Sequence, residues 1–522
     1  MHTIFALTLL LACGEKGAVI ETDSDATTDE TTSGDTAAGD SGETAADDTG
    51  TTGDDTGTLP TDTSWTSTGT TGATWTEPQI AGASVRLHDT IESLVYVSWE
   101  QLAPATVWVE YSFDDGEWHS TPPVAVESEA VEQLVLGVPY DTAFTWQIVN
   151  DFGEGGLSGG ASTSTTGALP VGLPPTEVVS GDEALWYPEG RYLYTSINED
   201  DGGWTGGTYW KFIIDRQGRV VWAMETANEN WTIWVEVSYD GEDLMWDDAS
   251  EWNFASSEVS RVHRMKIDGT IVASYETEGL HHAWDELSDG TIVWGARIDS
   301  NEEWLIARHT DGSEETLWKC SEFEIEQLGH TGRSCHSNSW WWHEPSDTYL
   351  VSFPASSGDT QNTVAHLDSD GATLSAWGGI GGIGGWTFEP ESSTFDYQHG
   401  VTFTGDDTLL VSTQLTPANP YYDRSNDVLA VREYELDYES QVLRQIWHFG
   451  EDLGIPGNYA GEAHRLPNGN TLHNFGTGAR TREITPDGQL VWDIKWPDGN
   501  LEGRGRLQGR SVFLEDLYDF AP

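Results

Sequence analysis

Between about residues 191 and 492, one pattern of apolar and polar positions occurs six times. Each copy is a couplet: a short apolar run, then a second run that contains a turn of the Asp-Gly type and ends near an aromatic residue. The clearest couplet is NTLHNFG followed by EITPDGQLVWDI. Short apolar runs bounded by such turns predict antiparallel strands, and their regular repetition predicts one small sheet per couplet. We therefore predict an all-β fold with a six-bladed β-propeller over residues 180–522.

The other five couplets follow the same order along the chain. They are RYLYTSI with IIDRQGRVVW, EDLMWDD with MKIDGTIVASY, GTIVWGA with RHTDGSEETLW, DTYLVSF with HLDSDGATLSAW, and DTLLVST with YELDYESQVLRQIW. Tryptophans end five couplets at matching positions: Trp222, Trp318, Trp377, Trp447 and Trp492. Large aromatic rings at equivalent positions of a propeller pack between neighbouring blades, so we assign these tryptophans to the core.

A different pattern precedes the repeats. Residues 78–168 contain segments in which apolar and polar residues alternate: SLVYVSWE, ATVWVEYSFDDGEW and VEQLVLGVPYDTAFTWQIVN. About ninety residues of this kind predict a single β-sandwich, and the positions of Trp99 and of the last segment resemble a fibronectin type III module. Such modules position or dimerise their neighbours, which leaves a homodimer open as the oligomeric state. The Pro-rich residues 169–179 are predicted to connect this domain to the propeller.

The first residues have the composition of an export signal. MHTIFALTLLLACG is too short to cross a bilayer but suits the apolar core of such a signal. It ends in Leu-Leu-Ala-Cys, which resembles a bacterial lipobox; the resemblance implies that residues 1–13 form a lipoprotein signal peptide and that Cys13 is acylated. We expect an exported bacterial lipoprotein of the periplasm, outer membrane or cell surface, which touches a membrane only through its N-terminal lipid anchor.

Charge and composition describe the rest of the N-terminal region. Residues 14–77 consist mainly of Thr, Asp, Gly, Ser and Ala, and so few apolar residues predict a disordered acidic stalk. The chain of 522 residues has a formal charge of -65, and 13 of its acids fall within residues 21–76, which leaves 52 of the net negative charges outside that segment. Nucleic acid and anionic lipid would be repelled, so we expect neither as a partner. We interpret the acidity as an adaptation for solubility in saline surroundings. The alternative explanation is calcium binding.

Two cysteines remain if Cys13 is acylated, namely Cys320 and Cys335. In an exported chain they would tend to form a disulfide. That bond would brace the backbone directly before His336 and stabilise the fold by about 3 kcal/mol. Two separate thiols are one alternative, and a zinc site formed with His330 or His336 is another.

Histidines stand a few residues before the first apolar run in the four later couplets. They are His281 and His282, His336, His399 and His464. Equivalent positions in successive blades are related by rotation about one axis, so their side chains can meet at the central channel. A ring of imidazoles there is a candidate reaction centre, because one ring can act as a base and another as an acid near neutral pH.

The sequence around these histidines resembles the bacterial arylsulfate sulfotransferases over roughly residues 186–517. The stretches that carry the likeness are GLHHAWDELSDGTIVWGA, CHSNSWWWHEPSDTYLVSF, YQHGVTFTGDDTLLVST and EAHRLPNGNTLHNFGTGARTREITPDGQLVWDI. Members of that family are periplasmic six-bladed propellers that move a sulfuryl group from one phenol to another without a nucleotide donor. The resemblance implies a ping-pong transferase whose partners are a phenolic sulfate and a phenol, with no cofactor and no metal.

The resemblance also implies roles for individual residues. His399 in YQHG matches the family's nucleophile, which forms a sulfohistidine. His336, with His281 or His282, matches the residues that hold the sulfuryl oxygens and assist the leaving phenol, where protonated imidazoles would offset the charge on the departing oxygen. Asn338 falls on the family's HxNS pattern and would orient the substrate or His336.

Further substrate contacts are expected from His464, Arg480 and Trp340. Trp340 belongs to a run of three tryptophans that would form an aromatic wall for a phenolic ring or pack within a blade. His464 has the alternative role of a hydrogen-bonding residue beside an Asn-Gly turn. Glu462 and Asp285 are expected to set the tautomers of the imidazoles.

Two segments depart from the family pattern. Where the family has SSR, residues 352–354 read SFP, so the arginine that cradles the sulfate is missing; where the family has FDNG, residues 411–414 read VSTQ. Neither Phe nor Pro replaces a bidentate guanidinium. Either another cation, such as Arg480 or Arg506, enters the channel, or the substrate is different, or activity has been lost.

Three functions are consistent with these observations. Sulfuryl transfer through His399 is the leading prediction. The alternative is a catalytically inactive surface propeller that lacks the family's arginine and binds a ligand or a protein without turnover. The third is a metal site in the histidine ring that serves hydrolysis or redox chemistry.

Overall fold

The computed structural model describes residues 75–114, 116–199, 207–227, 230–249, 260–299, 301–329, 335–354, 362–378, 385–415, 428–457, 460–497 and 506–522. The predicted signal peptide with Cys13, the stalk as far as residue 74, and His330 lie outside the described residues. The described chain is almost entirely β-strand; its helical elements are α1 (Cys320–Leu328) and the 3₁₀ turns Glu183–Leu185, Glu344–Ser346, Gly476–Gly478 and Leu517–Phe520. No helix among these residues is long and apolar enough to cross a membrane.

The N-terminal part of the described chain contains strands β1 (Ile80–Leu87), β2 (Val95–Gln101), β3 (Ala105–Phe113), β4 (His119–Ser120), β5 (Val124–Val126), β6 (Ala130–Val135), β7 (Ala143–Asp151), β8 (Gly156–Ser158) and β9 (Ser162–Thr165). They form two antiparallel sheets, β1-β2-β6 and β4-β3-β7-β8, with β5 added to β3 and β9 to β7. Alternate residues of β2, β3 and β7 form one apolar core, which includes Val97, Val109 and Trp146. The sequence alternates because successive side chains of a strand point to opposite faces.

The repeat region contains the remaining strands, which are β10 (Glu177–Gly181), β11 (Tyr192–Asn198), β12 (Tyr209–Asp215), β13 (Val220–Glu225), β14 (Val235–Val237), β15 (Leu244–Asp248), β16 (Arg261–Met265), β17 (Ile271–Glu276), β18 (Leu280–Glu286), β19 (Ile292–Asp299), β20 (Glu302–Arg308), β21 (Glu314–Lys319), β22 (Ser339–His343), β23 (Thr348–Phe353), β24 (Thr363–Asp368), β25 (Thr373–Gly378), β26 (Thr387–Glu389), β27 (Asp396–Phe403), β28 (Leu409–Gln414), β29 (Leu429–Asp437), β30 (Val442–Phe449), β31 (Gly461–Arg465), β32 (Thr471–Phe475), β33 (Arg480–Ile484), β34 (Leu490–Lys495) and β35 (Gln508–Leu514).

These strands form sheets of four or five strands that follow one another along the chain. Sheet 1 is β13-β12-β11-β35, sheet 2 is β14-β15-β16-β17, sheet 3 is β18-β19-β20-β21, and sheet 4 is β22-β23-β24-β25. Sheet 5 is β27-β28-β29-β30 with β26 parallel to β30, and sheet 6 is β31-β32-β33-β34 with β10 beside β34. The first and last sheets are each completed by a strand from the other end of the region, because β35 pairs with β11 and β10 with β34. The architecture is all-β and propeller-like.

Each predicted couplet corresponds to three consecutive antiparallel strands. In the clearest one, NTLHNFG contains β32, and EITPDGQLVWDI begins at the end of β33 and contains most of β34. The Asp-Gly turn between β33 and β34 requires a positive φ, which Gly488 adopts at 83°, and the Gly488 N–H donates to the carbonyl of Thr485 at 2.9 Å. Gly269 makes the equivalent turn between β16 and β17 with a φ of 85°. Glycine suits both positions because it has no Cβ to clash there, and the predicted strand pattern is confirmed.

The tryptophans that end the couplets join neighbouring sheets. Trp222 of sheet 1 donates its indole N–H to the carbonyl of Ile267 in sheet 2 at 2.7 Å, and Trp492 of sheet 6 donates to the carbonyl of Arg216 in sheet 1 at 2.9 Å. The other three contact a side chain of the following sheet: Trp318 contacts Trp340, Trp377 contacts Phe403, and Trp447 contacts Arg465. The prediction that these rings pack between sheets is confirmed.

A disulfide joins Cys320 to Cys335, whose Cα atoms are 6.2 Å apart. Cys320 begins α1, and Cys335 directly precedes His336, so the bond ties the end of sheet 3 to the segment that leads into β22. The predicted pairing is confirmed. An oxidised pair leaves no thiolate for the alternative zinc site with His330 or His336.

Replacing Trp222 by Ala should lower the free energy of unfolding by about 3–5 kcal/mol. The ring is fully buried, and its N–H satisfies the carbonyl of Ile267. Urea denaturation of the purified protein measures the loss. Trp118, which is 49% exposed, provides the matched control; its Ala variant should change the free energy by less than about 0.5 kcal/mol. An equally small effect of Trp222→Ala would contradict its role in joining the sheets.

Candidate functional site

Four histidine rings from three neighbouring sheets lie together. The ring centroids are 4.2 Å apart for His281 and His282, 4.8 Å for His281 and His336, 5.5 Å for His282 and His336, and 6.2 Å for His282 and His399. All four side chains are buried. Strand β18 carries the first two, the segment before β22 carries His336, and β27 carries His399. The structure therefore brings together the four histidines for which the resemblance implies chemistry.

Irregular strand pairing determines the direction in which these histidine rings point. The register between β18 and β19 shifts around His282, whose φ is 70°. The register between β27 and β28 shifts just before Gly400, and Tyr397 within that shift has a φ of 49°. Such bulges turn side chains away from the usual alternation along a strand. His281 and His282 can consequently both join the cluster, although consecutive residues of a regular strand face opposite sides.

Glu303 of β20 contacts two of the rings and is not among the residues predicted from the sequence. Its Oε1 lies 2.9 Å from Nδ1 of His281 and 4.0 Å from Nδ1 of His336, and its Oε2 accepts the N–H of Ser337 at 2.7 Å. Burial alone would raise the pKa of Glu303, but its interactions with His281, and to a smaller extent with His336 and Ser337, lower it to about 2. Glu303 is therefore an ionised carboxylate in the interior.

Three rings of the cluster are neutral at pH 7. Burial lowers the pKa of His281 and His282 and lowers that of His336 to about 3. The positive charge of Arg297 on β19 acts in the same direction on all three pKa values. A neutral imidazole donates one hydrogen bond and accepts another but has no net charge. The positive charge expected from protonated imidazoles has to come from another side chain.

Arg510 of β35 supplies a positive charge beside the cluster. Its side chain is 3% exposed, and its guanidinium lies 4.6 Å from the ring centroid of Trp234 and 4.9 Å from that of Trp341. The two indoles hold it by cation–π contact. Arg510 follows the last couplet, in a stretch with no family motif, so it was not predicted as a site residue.

Three carboxylates surround the guanidinium of Arg510. Its Nη1 is 2.8 Å from Oε2 of Glu236 and 3.6 Å from Oδ1 of Asp285, and its Nε is 3.9 Å from Oε1 of Glu462. Burial would lower the pKa of Arg510, but these carboxylates raise it, so the side chain stays charged. Burial raises the pKa of Asp285 to about 7, although Arg510 opposes this. Asp285 and Glu462, predicted to set imidazole tautomers, both face Arg510.

A small cavity of ≈ 20 Å³, about the space that one water molecule needs, lies between His399 and Arg510. Its wall consists of Ile233, Trp234, His282, Asn338, His399, Ala460, Gly461, Glu462 and Arg510. Glycine at position 400 allows β27 to approach β31 this closely, because a Cβ there would lie 2.5 Å from the Cα of Glu462. His399 and Arg510 therefore border the same small space.

Asn338 and His464 occupy different places around this cavity. The Asn338 side chain donates from Nδ2 to the carbonyl of Gln398 at 2.7 Å, which fixes the backbone directly before His399. The Nε2 of His464 lies 3.2 Å from Oε2 of Glu462, and its ring centroid is 5.1 Å from that of Trp341. Asn338 lines the cavity, whereas His464 contacts a carboxylate of its wall.

Three other residues considered for substrate binding lie away from the cavity wall. Arg480 is paired with Asp493, with Nε 2.6 Å from Oδ1. Trp340 donates its N–H to the Ser337 hydroxyl at 3.0 Å and packs in the core of sheets 3 and 4. Arg506 is buried just before β35 and is not part of the wall.

Phe353 lies in the segment that departs from the pattern of the resembled family, directly before Pro354, which stands at the position of the arginine. Phe353 is fully buried and stacks on Phe323, with ring centroids 5.6 Å apart. Its carbonyl accepts a hydrogen bond from Nε2 of Gln398 at 2.9 Å. Phe353 therefore supports the strand that carries His399, and the guanidinium beside that histidine comes from another sheet.

No protein-family model matches this chain, and neither does any curated protein. Solved structures similar to it include a catalytically inactive virginiamycin B lyase from Staphylococcus aureus with quinupristin, at 13% identity and a TM-score of 0.31, covering 53% of this chain and 74% of that one. A selenomethionine-substituted virginiamycin B lyase from the same organism is 10% identical with a TM-score of 0.34, covering 65% and 99%. The calcium-binding protein regucalcin from Agrobacterium tumefaciens is 13% identical with a TM-score of 0.32, covering 50% and 73%. These neighbours are β-propeller-like proteins.

Proposed function

We propose that this chain is an arylsulfotransferase-like enzyme, a six-bladed β-propeller preceded by a fibronectin type III-like domain. It transfers a sulfuryl group from a phenolic sulfate ester to a phenol through His399. The observation that carries the proposal is that His399 and Arg510 line one cavity, together with His282 and Asn338. A nucleophile, a fixed positive charge and neutral hydrogen-bonding groups around one space suit an anionic group in transfer.

In the first half-reaction, a ring nitrogen of His399 attacks the sulfur of the aryl sulfate. The N–S bond forms while the bond from sulfur to the phenolic oxygen breaks, and its electron pair leaves with the phenolate, which takes up one proton. In the second half-reaction, the oxygen of the acceptor phenol attacks the sulfur, the N–S bond breaks, and the acceptor releases one proton. Protons and electrons balance over the cycle, and His399 is regenerated.

In this proposal, Arg510 supplies the positive charge that the missing arginine provides in the resembled family. Charge builds on the sulfuryl and phenolic oxygens as the sulfur transfers, and a buried guanidinium stabilises such charge more strongly than it would in water. Its position between two indoles leaves it preorganised, so little reorganisation is needed at the moment of reaction. The neutral rings of His282 and His336 donate hydrogen bonds to the sulfuryl oxygens. The departing phenolate takes its proton from water, and the acceptor phenol releases its proton to water.

Replacing His399 by Ala should abolish the sulfuryl adduct and lower turnover of an aryl sulfate by at least about 1,000-fold. The nucleophile is then missing, whereas the cavity and Arg510 remain. Mass spectrometry of peptides after incubation with a donor locates the adduct, and release of the phenol measures turnover. His448→Ala is the matched control, because that histidine is half exposed and pairs only loosely with Glu451, at 3.6 Å.

The same experiment distinguishes the alternative of a binding propeller without turnover. Donor binding with no adduct and no phenol release in the unaltered protein would overturn the proposed transferase. So would an adduct of unchanged yield in His399→Ala.

The Michaelis constant for an aryl sulfate should rise by up to about tenfold between pH 6 and pH 8. The pKa of Asp285 is raised to about 7, so above this pH the group adds a negative charge beside Arg510, and below it the charge is removed. An anionic donor therefore binds better at the lower pH. In Asp285→Asn the constant should stay low over the same range. A profile that keeps its full pH dependence in this variant would contradict the assignment.

We also propose that the enzyme is exported and held to a membrane by acyl chains on Cys13. The support is the lipobox-like Leu-Leu-Ala-Cys at the end of the apolar leader. In bacteria that express the full chain, Cys13→Ala should move the protein from the membrane fraction to the soluble fraction. Retention of the variant in the membrane fraction would contradict lipid anchoring.

A further inference from the structure

We propose that His281, His282 and His336 together bind one divalent transition-metal ion of the Zn²⁺ type. One ring nitrogen from each lies within 4.8 Å of the other two, and all three residues are buried. Tetrahedral zinc with Zn–N bonds of about 2.0–2.1 Å places its ligand nitrogens roughly 3.4 Å apart, so small ring rotations bring this set into bonding range. The inference goes beyond sulfuryl transfer, which needs His399 and no metal.

Glu303 occupies the position of an outer partner to such a site. Its Oε1 lies 2.9 Å from Nδ1 of His281, so Nε2 on the other side of that ring is the atom that would coordinate. A carboxylate on the second nitrogen fixes the tautomer of a metal-binding imidazole and raises its basicity. Glu303 is held in turn by the N–H of Ser337 at 2.7 Å. The contact with Glu303 therefore orients the His281 ring before any ion binds.

The charge around the cluster also favours a cation. Glu303 places a negative charge against two of the three rings, with Oε1 2.9 Å from Nδ1 of His281 and 4.0 Å from Nδ1 of His336, whereas Arg510 lies on the cavity side. A divalent ion would offset that negative charge in a buried region, where it is poorly screened.

Three histidines leave a further coordination position for water or another molecule. His282 lines the cavity, and the His399 ring centroid is 6.2 Å from that of His282, so His399 lies beyond the three-ligand set. Zinc with three protein ligands and an open position is typical of catalytic sites, whereas structural sites are closed by four. An ion here would act as a Lewis acid towards an oxygen of a molecule in the cavity.

Metal titration of the full chain, purified without a histidine tag and stripped with a chelator, tests the inference. Co²⁺ is added first, because its visible absorption reports coordination by nitrogen, and Zn²⁺ is then added in competition. We expect one equivalent of Co²⁺ to bind and one equivalent of Zn²⁺ to displace it. Elemental analysis of dialysed protein gives the stoichiometry independently of any activity.

Variants locate the ion. His336→Gln should weaken binding by at least about 100-fold, and Glu303→Gln by about 10–100-fold, because the first removes a ligand and the second its outer partner. His282→Gln gives a second ligand variant in case His336→Gln does not fold, which circular dichroism reports. His448→Gln should bind as the unaltered protein does.

Two results would overturn the inference: folded protein that takes up no stoichiometric Co²⁺ or Zn²⁺, and binding that is unchanged in both ligand variants. Neither readout depends on sulfuryl transfer. If the protein binds metal but forms no adduct on His399, only the proposed transferase activity is contradicted. If the protein forms the adduct but binds no ion, only the proposed metal site is contradicted.

Discussion

The pairing of β35 with β11 is the contact on which the site depends. This C-terminal strand completes sheet 1, and Arg510 lies within it. Gly509 allows the close approach, since a Cβ there would lie 2.1 Å from the carbonyl oxygen of Ile233. The Arg510 N–H donates to that same carbonyl at 2.8 Å. One strand therefore both completes sheet 1 and carries Arg510 to the cavity wall.

Burial then determines which side chains of the site are charged and which are neutral. Removing the imidazoles from water disfavours their charged forms, so His281, His282 and His336 stay neutral. Glu303 stays ionised on one side of the cluster, and Arg510 stays charged on the cavity side. Each remains charged because it has close partners that offset the cost of burial. The cavity therefore has fixed charges and neutral, hydrogen-bonding rings between them.

Backbone strain accompanies this arrangement. His282 and Tyr397 both have positive φ values, at 70° and 49°. Such a conformation costs roughly 1–3 kcal/mol for a residue with a side chain, and it persists where the surrounding packing enforces it. Here the surrounding packing includes Trp318 and Trp377, which join sheet 3 to sheet 4 and sheet 4 to sheet 5. Both strained residues belong to strands that carry site histidines, which links the strain to the position of the rings.

The sequence by itself determined the strands, the turns between them and the tryptophans that join the sheets, because these depend on local alternation and on Asp-Gly turns. It also singled out His399 and the Cys320–Cys335 pair. Only the tertiary structure decided which charged groups meet these rings. Glu303 and Arg510 stand in stretches without a motif, and Arg480 and Trp340, chosen from the sequence, are used elsewhere. The physical reason is that charge and protonation at the site come from side chains of separate sheets, which no local pattern brings together.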